Sequence, residues 1–273
     1  MVHFAVSSMF FHEYPIDEIF DYIEETGLDG IEFWMETPHF WLNNCIVDDL
    51  DTSLQEHPGL CSFNMHAPIL DLNPCSINPR VAQISRQYAL ETIAIARHLG
   101  AEVVTVHPGR RTVKRVPSAN EYERFELFLS ELKSVAQGKH VKISIENMEP
   151  TINSLLCTPD AMRDLLDVNN WLYFTLDTSH ALAGYSEQVI EYISLCHDRL
   201  VNIHVSRVEN DRMHSPIHGS NDLDGAFQNL AEMEYKGSLT LEIEDRNFDH
   251  DLSAEERITL LIREVEFMEQ FFS

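Results

Sequence analysis

The sequence predicts a single (β/α)₈ barrel, the TIM barrel, with residues 1–273 forming one domain. Three observations point to it. Eight short β-rich runs alternate in order with eight amphipathic helical stretches. A length of 273 residues is long for an ordinary domain and normal for one α/β barrel. Each of the last six predicted strands leads into a side chain of the metal-ligand type.

The predicted strands are 3–7, 30–34, 61–65, 102–106, 141–145, 173–176, 200–204 and 238–243. Between them, residues 16–26, 47–56, 79–99, 120–137, 159–168, 187–197, 223–235 and 254–271 carry apolar positions at helical spacing. Ile19, Tyr22 and Ile23 form that stripe in the first helix, and Leu90, Ile93 and Ala94 in the third. Thr158-Pro159 and Ser253 are helix-start signals. Gly27, Gly100, Gly138 and Gly237 stand where helices should stop before the next strand. No long linker, charge block or low-complexity run divides the chain. An open doubly wound sheet also alternates strands and helices, but the first unit has no G-x-G-x-x-G after its strand.

The polar residues at the strand ends argue for closure. His66 closes FNMHAP, His107 sits in VVTVHPG, Glu146 in ISIEN, Asp177 and His180 in FTLDTSH, His204 in VNIHVS and Glu242 in LTLEIED. Asp211 and His214 follow in the loop after the seventh strand. In an open sheet the outermost of six such positions would be roughly 24 Å apart, five gaps of ~4.8 Å. A barrel gathers them at one mouth. A carboxylate after ISI or after YFTL is costly to bury without a cation, which singles out Glu146 and Asp177.

Mixed imidazole and carboxylate donors suit zinc, manganese, iron or cobalt, whereas calcium takes oxygen ligands alone. A divalent metal ion, zinc or manganese among them, is the expected cofactor. No lysine lies at a strand end, which argues against Schiff-base chemistry. His3, His12 and His39 fall outside the pattern and read as structural. Trp34, Phe40 and Trp41 suit an apolar substrate wall, the core, or a contact between subunits of an oligomer.

The formal net charge is −26, from 45 acidic against 19 basic residues. Nucleic-acid binders present a basic face, so this balance argues against DNA or RNA as a partner. Five scattered cysteines, Cys45, Cys61, Cys75, Cys157 and Cys196, with no C-x-x-C pair, read as reduced thiols of a cytoplasmic protein. The start lacks the features of a signal peptide, and no apolar run is long enough to span a membrane.

With these segments in order, the chain resembles the xylose isomerase-like barrel superfamily, which includes endonuclease IV and many sugar isomerases and epimerases. HAP, LGA-x-VV-x-VHPG, IEN, LDTSHA, HV and LTLE carry the resemblance across nearly the whole chain. In epimerase-type members it implies one metal held by Glu146, Asp177, His204 and Glu242. In endonuclease IV it implies three zinc ions, with His66, His107 and His180 as further ligands. Asp211 and His214 resemble that enzyme's Asp-x-His pair, but the spacing here is Asp-x-x-His, with Met213 where the histidine would fall. Ile69 and Leu70 follow HAP, where the endonuclease carries bulky residues that wedge into DNA.

The resemblance implies, first, isomerisation or epimerisation of a small sugar, sugar phosphate or related polyol through an enediolate. Glu146 and Glu242 would exchange the proton. Asp177 and His204 would hold the metal. His180 would orient substrate or hold a second ion, and Arg207 would bind a phosphate or carboxylate, with Arg110 and Arg111 as further candidates. The second reading is metal-assisted phosphoester hydrolysis as in endonuclease IV. The third is a barrel that binds a ligand without turnover.

Overall fold

The computed structural model describes residues 2–44, 46–136 and 141–272. In chain order it contains β1 (His3–Ser7), α1 (Ile16–Glu25), β2 (Gly30–Trp34), α2 (Pro38–Leu42), α3 (Val47–Glu56), β3 (Ser62–His66), α4 (Pro79–Leu99) and β4 (Val103–Val106). Then follow α5 (Ala119–Val135), β5 (Lys142–Glu146), α6 (Pro159–Val168), β6 (Tyr173–Asp177), α7 (Thr178–Leu182), α8 (Gln188–Cys196) and β7 (Leu200–Val205). A hairpin of β8 (Arg207–Glu209) and β9 (Arg212–Ser215) precedes α9 (Asp224–Glu232), β10 (Ser238–Leu241) and α10 (Ala254–Phe272). Eight parallel strands close in the order β1-β10-β7-β6-β5-β4-β3-β2.

All eight expected barrel strands form. β3, β5 and β6 each run one residue further than the sequence suggests, so His66, Glu146 and Asp177 are held by the sheet itself. Sequence reading missed α2, α7 and the β8–β9 hairpin. Helices of five residues are too short to show a periodic stripe, and a hairpin outside the barrel carries no core face.

Capping follows the expected chemistry. The Thr158 side chain accepts from the Ala161 N–H at the start of α6, and the Ser253 hydroxyl accepts from the Glu256 N–H before α10. Gly100 ends α4 with φ 77°, left-handed backbone that strains a side chain. Gly27 shares that conformation, whereas Gly237 does not. Gly138 and Cys45 lie outside the described residues. The other four cysteines are free thiols. Among the described residues no helix is long and apolar enough to cross a membrane.

Two cores result. Between sheet and helices, residues such as Ile19, Phe20, Ile31, Phe33, Phe128 and Phe174 are fully buried. Inside the barrel the filling is polar, where branched apolar side chains are the usual choice. Thr105 of β4 bonds Thr175 of β6 at 3.1 Å, Asn64 of β3 bonds Ser238 of β10 at 3.1 Å, and Asn202 of β7 donates to Glu32 of β2. None of these strands are neighbours, so the bonds cross the interior. Side chains two apart share a face of a strand. Asn64, Thr105, Ser144, Thr175, Asn202 and Thr240 therefore form a layer directly beneath His66, His107, Glu146, Asp177, His204 and Glu242.

Candidate metal centre

Sheet register sets the mouth. Asp177 pairs with His204 across β6 and β7, and Glu146 pairs with Thr175, two residues before Asp177. Glu146, Asp177, His204 and Glu242 each offer a donor atom, all within 4.8 Å of one another, and all four are buried. Three further groups of the same tightness adjoin: His66, His107 and Glu146; Asp177, His180 and His214; and Glu32, His66 and His204. Glu146 belongs to two groups, and so does Asp177. His66 and His204 are shared as well, so the four groups form one linked cluster.

Glu146 is the hub. His107 Nε2 lies 2.9 Å from its Oε2, His66 Nε2 3.3 Å, His204 Nδ1 3.6 Å, and His180 Nδ1 3.3 Å from its Oε1. Burial alone would raise its pKa, but the facing imidazoles, His107 and His204 foremost, hold it well below the usual carboxylate range. Asp177 differs: burial dominates and pushes it up against the pull of His180 and His214. Burial opposes protonation of His204, yet Glu242, Glu32 and Glu146 raise it well above the ordinary imidazole value.

Local structure presents these groups. Asp177 caps α7, its Oδ1 accepting from the His180 N–H at 2.6 Å and from the Ser179 hydroxyl at 3.1 Å. That fixes one oxygen and leaves Oδ2 facing the centre. Asn147 locks the same corner, donating to Asp177 O at 3.0 Å and accepting from Asp177 N at 2.7 Å. His180 Nδ1 donates to Asn147 O at 2.9 Å, leaving the other ring nitrogen toward Glu149.

The donor set fits a divalent cation. Asp177 Oδ2, His204 Nδ1 and Glu242 Oε2 are buried atoms without a hydrogen-bond partner. His204 Nδ1 and Glu242 Oε2 are only 2.8 Å apart yet out of hydrogen-bond geometry. Buried polar atoms are rarely left unsatisfied. Three orphans from one quartet of imidazole and carboxylate donors share a single remedy, a cation among them.

The site contains a residue the sequence reading missed. Glu32 of β2 is 1% exposed, and its Oε1 accepts from His204 Nε2 at 2.8 Å. It thereby fixes the ring with Nδ1 toward the quartet, as carboxylates behind metal-bound histidines do. The signal was present in GIEFW: a lone acid in an otherwise apolar strand, the same argument that singled out Glu146. Glu32→Gln should weaken metal affinity about 10–100-fold, measured by chelator competition, with the melting profile of the metal-free protein still cooperative. Unchanged affinity would remove Glu32 from this role.

Other expectations fare differently. Asp211 lies outside every donor group. Asn210 and Asp211, with φ 51° and 62°, form the exposed turn of the β8–β9 hairpin, and the extra residue in Asp-x-x-His leaves only His214 facing inward. Arg207 does not line the mouth cavity. Its Nε donates to Pro216 O and its Nη2 to Glu209 at 2.6 Å, so it braces the hairpin. Trp34 and Phe40 are buried, with Trp34 Nε1–H 2.7 Å from His66 Nδ1, and Trp41 stacks on Tyr88. His3 Nδ1 meets Asp29 at 2.9 Å, in a separate group with Cys61, and His12 Nδ1 meets Met9 O at 3.0 Å.

Beside His107 and His180 opens a cavity of about 200 Å³, walled by Pro68, Ile69, Leu72, Met148 and Met213, with Arg110 and Glu149 at its polar edge. The class defined by this arrangement is a closed parallel barrel with a buried imidazole–carboxylate centre at the carboxyl ends of its strands. A family model described as "Xylose isomerase-like TIM barrel" matches residues 20–271, and the chain belongs to that family.

An uncharacterized protein of Methanocaldococcus jannaschii is 34% identical, covering 98% of this chain and 99% of its own length. The crystal structure of a D-tagatose 3-epimerase-like protein superposes with a TM-score of 0.75 at 23% identity, covering 100% of both chains. Endonuclease IV from Thermus thermophilus superposes with a TM-score of 0.71 at 16% identity, covering 98% of this chain and 99% of that one. At these identities the two structures speak to the fold.

Proposed function

We propose that the protein is a metal-dependent isomerase or epimerase acting on a small sugar, sugar phosphate or related polyol. The observation that carries this reading is the convergence of Glu146 and Glu242 in one buried quartet. They arrive from β5 and β10, strands separated by β6 and β7 in the ring, and so reach the centre from well-separated directions. One carboxylate removes the proton from the carbon beside a carbonyl, and the other returns a proton from the second side. His180, held by Asn147 O, orients substrate hydroxyls at the cavity edge. Held by Glu146, Asp177, His204 and Glu242, zinc or manganese would polarise adjacent carbonyl and hydroxyl oxygens of the substrate. The adjoining cavity of about 200 Å³ and the net charge of −26 favour a small molecule over nucleic acid.

A specific observation favours a second reading, phosphoester hydrolysis. The three donor groups linked through Glu146 and Asp177 offer places for more than one ion, and clustered ions suit displacement at phosphorus. A barrel that binds without turnover is the third reading, and the paired glutamates speak against it. Incubation of the metal-loaded protein with ketoses and their phosphates in deuterated water separates these. The isomerase reading expects deuterium at the carbon beside the carbonyl, seen by NMR. No exchange with any of them, together with cleavage of an abasic-site oligonucleotide, would establish the hydrolase instead.

A further inference from the structure

The protein is strongly acidic, yet four of its 19 cations fall within six residues: Arg110, Arg111, Lys114 and Arg115. No Asp or Glu occurs from His107 to Asn120. This segment leaves β4 directly after His107, so the chain's densest run of positive charge begins at the rim of the candidate centre. In an acidic field, such a local patch draws anions to that rim.

The four cations are not equivalent. Arg111 is engaged, with Nη1 on Val116 O and Nε 3.7 Å from Glu121. Lys114 and Arg115 are exposed and lie away from the cavity. Arg110 lines the cavity together with His107 and His180, and is its only Arg or Lys among the described residues. Among those residues its guanidinium has no hydrogen-bond or ion-pair partner within the protein. The one carboxylate lining the same cavity, Glu149, lies 4.0 Å from His180.

The backbone under Arg110 is held on both sides. Asn73, in the loop after β3, donates from Nδ2 to Arg110 O at 2.8 Å and accepts from Arg110 N at 3.0 Å. Arg111 N donates to Asn153 O at 2.9 Å, and Asn153 Nδ2 donates to Arg111 O at 2.8 Å. Gly109, with φ 84°, permits the close approach: a Cβ there would stand 2.8 Å from Asn73 Oδ1. Two asparagines and a left-handed glycine thus fix where the Arg110 side chain begins, while its charged end stays unspent.

We infer that Arg110 forms an anion subsite, and that the substrate carries a phosphate ester whose oxygens the guanidinium grips while the polyol part reaches the donor groups. A guanidinium offers paired N–H donors that match a phosphate's oxygens. Lys114 and Arg115 add long-range attraction without contact. The inference rests on the sugar-isomerase reading only for the polyol part of the ligand.

The test is equilibrium binding of D-fructose, D-fructose 6-phosphate and D-glucuronate to the metal-loaded full-length protein by calorimetry, with Arg110→Gln and Arg110→Lys beside it. Metal content and melting temperature are checked in each. The phosphate should bind at least about tenfold more tightly than the parent ketose, as for a charge-assisted pair. Arg110→Gln should abolish that advantage and Arg110→Lys should retain part of it, with metal content unchanged. An advantage that survives Arg110→Gln would place the phosphate on the metal centre and overturn the subsite. Equal binding of ketose and phosphate, or a preference for the carboxylate, would overturn it as well. Because no turnover is needed, an intact Arg110-dependent preference without deuterium exchange would sink the isomerase reading alone.

Discussion

Glu146→Gln should lower turnover by a factor on the order of 10²–10⁴ or more, the range over which a positioned acid or base contributes. The substitution keeps the shape and removes the charge. That charge faces four imidazoles between 2.9 and 3.6 Å away. It is also shared by two donor groups, so the variant should hold less metal in both, read by elemental analysis. Glu242→Gln provides the contrast. Glu242 belongs to one donor group only, so a comparable loss of turnover should come with a smaller loss of metal. Full activity in Glu146→Gln would end the proposed proton-transfer role.

The second large effect is expected on removing metal. A ligand present at about 1,000 times its dissociation constant stabilises by about 4 kcal/mol. At about 2–4 °C per kcal/mol for a chain of this size, chelation should lower the melting temperature by roughly 8–16 °C. The gap should depend on pH. In the metal-free centre His66, His180 and His204 have raised pKa values. For His180, burial resists protonation, but Asp177 and Glu146 outweigh it and push the ring up to about 10. Groups raised in the folded state add stability that is complete below the unfolded imidazole value, about 6.5, and is lost as pH rises through the folded one. The metal-free protein should therefore weaken between about pH 6.5 and 10. Metal must displace those protons, so its affinity should rise over the same interval. The melting gap between loaded and stripped protein should widen with pH. A gap that narrows would contradict the ion pairing described for the metal-free centre.

Much of this centre was legible because its signals are local and periodic. NMH, TVH, SIE, TLD, NIH and TLE each place a small polar residue two positions before the donor, on the same strand face. The donors supported closure of the barrel, and the polar layer beneath them was the unread half of the pattern. Glu32 was missed because it lies deeper in its strand than the others, in the layer below the mouth, where its partner His204 is 172 residues away in sequence. Asp211 misled for the opposite reason. Its resemblance to an Asp-x-His pair suggested a ligand despite the extra residue, but a two-residue turn with positive φ decided its direction, and backbone handedness is weakly written in residue type. Arg207 likewise sits just past a strand end, and only the unforeseen hairpin explains why its guanidinium turns to Pro216 and Glu209.

Anomalous diffraction from crystals grown with zinc or manganese would probe the central claim most directly. An ion bound together by Glu146, Asp177, His204 and Glu242 is the expected result, with any further ions beside His66 and His107 or beside His180 and His214. Well-ordered crystals with saturating metal and no anomalous peak among those four side chains would contradict it.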